Sequence, residues 1–354
     1  MKKLLASIIV VGLLSLLSSY VKNNVVLEPK RPIVKIGVVL PITGNLSDNG
    51  NTSNAVVEKV AQEVQESPVQ FEFIVEDNAQ DLKKTAMIAN KFVNADEVSA
   101  VVSMFTGPGS VVTPVVTAKE VLHICIANDC NIAEGPLNFA NWQQMSVASE
   151  KLIELLESKK VKKIVIFTME DAGPVLVSKH VREAFENKGI KFVEYGFNPT
   201  ERDFALMVEK AKKDKADMWM LNTFSPAIEL IRKAMIEKKI KTPVTSIQTF
   251  GDAEDKELIR GFDYVEAAEV SEEIKDYVME KTGSANVTVA AYTYDTLKMI
   301  VKVNEDFYTR EGRLPTGEEM AKELLDMKEY YGTVGHVEIS PERIMYSDTV
   351  ITQL

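Results

Sequence analysis

The chain has 354 residues, 45% hydrophobic and 26% charged, a composition that supports buried cores and excludes a disordered or coiled-coil protein. Its formal net charge is −11, so the surface repels polyphosphates and no nucleic-acid partner is expected; the Lys clusters at 159–163 and 210–215 are offset by nearby acids and read as solvated helix ends. A single apolar stretch, 4–17, is long enough to meet a membrane, which excludes a polytopic membrane protein.

Residues 1–22 have the parts of a secretory signal peptide: Lys2 and Lys3, an apolar centre, and small residues at Ser15, Ser18 and Ser19. The alternative is an uncleaved N-terminal anchor, with Tyr20 and Val21 extending the apolar run. Both readings put the body in a periplasmic or extracytoplasmic location, with membrane contact only through that segment. The cysteines are Cys125 and Cys130; none follows the leader to carry a lipid. In an exported chain the two can pair locally or remain thiols.

After a linker at 23–32, β-branched runs alternate with amphipathic segments, as in βαβ units and a parallel sheet. Strands are expected at 33–40, 71–75, 98–102 and 121–126, with helices at about 55–64 and 82–93 and a further helix ending near Glu120. Thr113 and Pro114 make a good N-cap and first helical residue, preceded by a tight turn at 106–110 that uses glycine for positive φ. The alternation restarts with helix 149–158. Strands at 163–168, 190–196, 216–221 and 243–247 alternate with helices at 174–187, 202–212 and 226–237, and a short helix follows near 254–260. Helices then dominate at 272–281, 289–304 and 318–327, before two strand-like runs at 335–339 and 346–352. Two similar doubly wound α/β units are expected.

In such sheets ligands bind beyond the carboxyl ends of the strands. The loops to watch are therefore 41–51, 104–110, 127–134, 169–174, 222–226 and 248–252. Catalysis has no visible apparatus: no G-x-S-x-G elbow, P-loop or G-x-G-x-x-G follows a strand, and Glu76 and Asp77 point to opposite faces of one strand. An enzyme is not expected. With three histidines, His123, His180 and His336, and no CxxC, HExxH or EF-hand spacing, neither a metal nor a cofactor is expected, and the histidines read as structural.

The opening Val34-Lys35-Ile36-Gly37-Val38-Val39-Leu40-Pro41-Ile42-Thr43-Gly44, behind a leader, resembles solute-binding proteins for branched-chain amino acids and amides. Asp77-Asn78 followed by Asn90-Lys91-Phe92-Val93, Arg202-Asp203-Phe204, Phe224 and Pro226, Ala290-Ala291-Tyr292-Thr293-Tyr294-Asp295 and Tyr331-Gly332-Thr333-Val334-Gly335 agree in order and spacing. The resemblance implies a type I periplasmic-binding fold: two Rossmann-like lobes joined by three crossovers, closing on a small-molecule ligand as a monomer and delivering it to ABC transporter permease subunits. Lobe one would combine 33–142 with 269–331, and lobe two 143–268 with 332–354. The other reading of the same closure is a ligand-sensing ectodomain that signals through a membrane partner.

The family grips an amino acid's carboxylate with hydroxyls and backbone amides of lobe one and its ammonium with an acid of lobe two. Carried over, the first hydroxyl falls near Thr106 and Gly107, the second near Asn131, and the acid at Gln248, which as a neutral amide cannot pair with ammonium as a carboxylate does. Family aromatic positions fall at Asn49 and near 171–173, leaving Phe224 as a wall. The ligand-binding set is therefore Asn49, Thr106, Gly107, Ser110, Asp129, Asn131, Asp171, Phe224 and Gln248. Asp129 and Asp171 have a second reading as caps. Of the tryptophans, Trp142 and Trp219 are both candidates to stack on a ligand, but Trp219 lies within an apolar run and reads as core. A small polar ligand is expected: an amide, a polyol, or an amino acid held in a shifted orientation.

Overall fold

The computed structural model describes residues 31–354 except Asp252 and Ala268; the expected leader and most of the linker lie outside the described residues. Two main sheets carry the described residues, and a third has only two strands. The first begins with β1 (Ile33–Leu40), α1 (Ser47–Glu63), β2 (Gln70–Asp77), α2 (Leu82–Lys91), β3 (Ala100–Met104), α3 (Thr106–Thr117), β4 (Leu122–Ile126) and β5 (Asn138–Asn141). Its parallel strands run in the order β5-β4-β3-β1-β2. Every residue of β3 and β4 is buried, because helices cover both faces, which is why these strands read as unbroken apolar runs. Alternate residues serve opposite faces. Val38 packs with Val56 and Val60 of α1, whereas the neighbouring Val39 packs with Ile88, Phe92 and Val112 on the other side.

The second sheet comprises β6 (Lys163–Met169), β7 (Lys191–Phe197), β8 (Met218–Asn222) and β9 (Val244–Thr245), in the order β7-β6-β8-β9. Helices α4 (Met145–Ser158), α5 (Ala172–Lys188), α6 (Ala205–Lys213) and α7 (Ala227–Glu237) connect and cover it, and β10 (Asp263–Glu266) follows. The chain then returns to the first sheet through α8 (Glu272–Thr282), α9 (Thr288–Glu311) and α10 (Gly317–Met327), continuing into β11 (Glu329–Gly332), β12 (Gly335–Ile339), β13 (Ile344–Ser347) and β14 (Val350–Gln353). It crosses between the sheets three times, after β5, after β10 and after β13. The expected doubly wound architecture with three crossovers is present.

The tail corrects the expected boundary. Strands β11, β12 and β13 extend the first sheet to eight strands, β13 lying parallel to the edge of β5; only β14 joins the second unit, antiparallel to β10. Buried Val337, Ile339 and Met345 belong to the first core, so 335–347 cannot be assigned to lobe two. The run 346–352 is likewise two strands in different sheets, separated by Asp348 and Thr349.

Two motifs that carried the resemblance meet in space. The buried Asp295 carboxylate of α9 accepts the N–H groups of Thr333 (2.9 Å) and Val334 (3.0 Å) and the Thr333 hydroxyl (3.0 Å). A Cβ on Gly332 would sit 2.4 Å from Asp295 Oδ2, so glycine is required where the β11–β12 turn closes over that carboxylate. Burial pushes the Asp295 carboxyl above its ordinary value, and these hydrogen bonds oppose the shift.

Candidate functional site

The carboxyl ends of both sheets open into one cleft of about 510 Å³, within the range of small-molecule sites. Lobe one contributes Asn45, Leu46, Gln80, Phe105, Thr106 and Asn128; lobe two contributes Glu170, Asp171, Asn222, Phe224, Gln248 and Thr249. Trp142, at the first crossover, stands between them. All six loops selected in the sequence reach this wall. The loops after β2 and β7, which supply Gln80 and Arg202, were missed, although the same rule about strand ends identifies them.

Helix α3 begins at Thr106, with Pro114 in its interior, so the expected N-cap at Thr113 is corrected. Neither Gly107 nor Gly109 has positive φ; Phe105 does, at φ 69° and ψ 153°, a region almost confined to glycine. Phe105 is held there because its N–H donates to Ile126 O (2.9 Å) and its carbonyl accepts from Gly109 N (2.9 Å). The strained residue turns β3 directly into α3. Thr106 and Gly107, in the first turn of α3, line the cleft, and a helix N-terminus favours anions. Thr106 Oγ1 donates to Asn128 Oδ1 at 3.0 Å, setting a hydroxyl and an amide side by side. Gly109 lets the helix lie flush on β4, since a Cβ there would come within 2.4 Å of Cys125 Sγ.

The neighbouring loop is braced by Asp77. Partial burial would raise this carboxyl's pKa, but hydrogen bonds from Thr43, Ala79 and Lys84 hold it well below the usual carboxylate range. Thr43 Oγ1 donates at 2.7 Å and Ala79 N at 2.9 Å, which ties the loop carrying Asn45 and Leu46 to the one carrying Gln80.

On lobe two, Asn222 Nδ2 donates to Pro174 O at 2.7 Å, docking the first turn of α5 against β8. Asp171 occupies the N-cap position of α5, but its side chain makes no capping bond, and it lines the cleft beside Glu170. The side chains that line the cleft include three ionisable groups, Glu170, Asp171 and Arg202, all from lobe two. The Arg202 guanidinium donates through Nη1 to Pro199 O (2.9 Å) and Glu201 O (2.7 Å). Two carboxylates and one guanidinium, which keeps its charge in these bonds, therefore face the cleft.

Of the nine expected residues, Thr106, Gly107, Asp171, Phe224 and Gln248 line this cleft. The other four do not line it. Asn49 is buried within lobe one and accepts from Asn286 Nδ2 at 2.7 Å. Ser110 sits one turn into α3 and donates to Thr106 O at 2.8 Å. Asp129 accepts from Asn131 N at 3.0 Å and caps the short 3₁₀ turn Cys130–Ala133, the bland reading of the pair; Asn131 is exposed on that turn. The loop faces the cleft through Asn128 instead, because the strand end aims its first residues inward before the chain turns away. Gln248 is in the cleft, but its amide is occupied: Oε1 accepts from Trp142 Nε1 at 2.7 Å, and Nε2 donates to Gln143 Oε1. Trp219 is core. Cys125 and Cys130 are both free thiols, the first buried and the second exposed.

The sequence profile of the periplasmic binding protein family matches residues 33–353. The leucine-, isoleucine-, valine-, threonine- and alanine-binding protein of Pseudomonas aeruginosa is 24% identical over 216 residues, 56% of each chain; the match thus spans about half the length of that relative. The crystal structure of a leucine-binding protein from Thermotoga maritima superposes with a TM-score of 0.80 at 17% identity, covering 91% of this chain and 95% of that one. An ABC-transporter solute-binding protein from Rhodopseudomonas palustris, in complex with 3,4-dihydroxybenzoic acid, superposes at 0.78 with 18% identity, covering 91% and 93%. At such identities the structures establish a shared fold.

Proposed function

The chain belongs to the periplasmic binding protein family, and from that premise we propose that it captures an amino acid with a bulky apolar side chain outside the cytoplasmic membrane and delivers it to the permease subunits of an ABC importer. The observation that carries the ligand class is the division of the cleft. Lobe one offers helix N–H groups, the Thr106 hydroxyl and the Asn128 amide, which suit a carboxylate. Lobe two offers Glu170 and Asp171, which suit an ammonium, so the acid absent at Gln248 is supplied from the loop after β6. Phe105, Ile126, Trp142, Phe224 and Ile247 form apolar walls that a polyol would leave unsatisfied. One chain supplies both walls, so a monomer suffices.

Calorimetry with leucine, phenylalanine, leucinamide, 4-hydroxybenzoate and a polyol tests this reading on the parent, Asp171→Asn and Phe224→Ala. The amino acids are expected to bind. Asp171→Asn should weaken them about tenfold through loss of a charge-assisted bond, and Phe224→Ala should weaken them without lowering the melting temperature of the free protein. Preferential binding of the polyol, or amino-acid affinity untouched by both substitutions, would refute the assignment.

A further inference from the structure

We infer that Gln248 is a positioning residue that latches the aromatic wall of the cleft to the hinge, and is not itself a ligand contact. The residue sits just beyond β9 in a left-handed conformation, φ 69°, its N–H anchored to Val265 O of β10. From there its side chain leaves lobe two and reaches the first crossover. Its carbonyl takes the Trp142 indole N–H at 2.7 Å and its NH₂ group gives to Gln143 Oε1. Gln143 is fully buried, and its own Nε2 donates to Thr349 Oγ1 in the third crossover at 2.6 Å. Trp142 packs on Tyr292 of α9, ring centroids 4.3 Å apart, and the Tyr292 hydroxyl bonds Ser347 at the end of β13. The contacts thus run from the cleft face of lobe two, through two crossovers distant in sequence, to the long helix of lobe one.

The side-chain chemistry fits the position. An amide accepts from an indole and donates to a carbonyl oxygen at the same time, whereas a carboxylate can only accept. Lobe closure bends the crossovers, so a ligand pressing on Trp142 acts on the same bonds that set the crossover geometry. Spending the Gln248 amide on the hinge also explains why the acidic groups of the cleft lie at Glu170 and Asp171.

Hydrogen–deuterium exchange on the full, ligand-free chain tests the latch, comparing the parent with Gln248→Met, Trp142→Phe and the double variant. Gln248→Met keeps side-chain length without polar groups, and Trp142→Phe keeps a ring without its N–H. In Gln248→Met the amides of 141–145 and of 347–350 should exchange about tenfold faster together, Trp142→Phe should show a smaller change in the same two segments, and the double variant should be no faster than Gln248→Met alone. Should Gln248→Met fail to fold, the Trp142→Phe pattern decides. Exchange at 347–350 that is unchanged while 244–250 responds would overturn the latch, as would effects that multiply in the double variant. No ligand enters the measurement, so its failure leaves the transport reading standing, and failure of the calorimetry leaves the latch standing.

Discussion

His123 lies in β4 with no exposed surface, directly under α3, whose first turn lines the cleft. Its Nε2 is 2.8 Å from Ser103 Oγ and its Nδ1 is 3.2 Å from Asn138 Oδ1, with Thr113 Oγ1 at 3.4 Å. Burial pushes the imidazole down to about 4 from its ordinary 6.5, and the bond with Asn138 opposes the shift. Below pH 6.5 the unfolded chain therefore takes up a proton that the folded chain refuses until pH 4. Stability is complete above 6.5, falls as pH drops, and loses nothing further from this group below 4. At about 1.4 kcal/mol for each pH unit, the interval is worth about 3 kcal/mol, most of it lost by about pH 4.5. Replacing His123 by Gln keeps hydrogen-bonding atoms but removes the titration. Urea unfolding of parent and His123→Gln at about pH 7.5 and about pH 4.5 checks this, the parent being expected to lose about 2–3 kcal/mol more than the variant. Parallel losses in the two proteins would show that His123 is not held neutral and would refute the reasoning.

Gly109→Ala would drive a methyl group to 2.4 Å from Cys125 Sγ and 2.9 Å from Ile132 Cδ1; the overpacking should cost about 1–3 kcal/mol and lower the melting temperature by about 5 °C, and an unchanged melting curve would refute the flush packing of α3. The Cys125 thiol is buried and pushed up to about 12 by that burial, whereas Cys130 is exposed. Maleimide should accordingly modify one thiol in the native protein and both in denaturant; a native protein with no reactive thiol would mean the two are joined.

The layered α/β architecture and the side of the sheets that carries the site were legible in the amino-acid pattern alone. The apolar stretches 36–40, 121–126 and 164–168 are buried on both faces, and that burial is the property a continuous hydrophobic run reports. The loops after those runs had to lie at the cleft, since parallel strands all end on the same side. Short strands such as β5, β10 and β11 were illegible because four residues carry too little periodicity, and their pairing is decided by whichever strand edge is free. The division of the tail between the eight-stranded sheet and the β10–β14 pair has the same cause. Packing in three dimensions makes Asp129 cap a turn while Asp171 faces the cleft, because identical side chains after similar strands differ only in the direction the chain takes next. Likewise, Gln248 finds its partners at Trp142 and Gln143, and Gln143 finds Thr349, across separations of more than one hundred and two hundred residues. Such contacts leave no local pattern, because the side chain's role is set by which crossover the fold brings beside it.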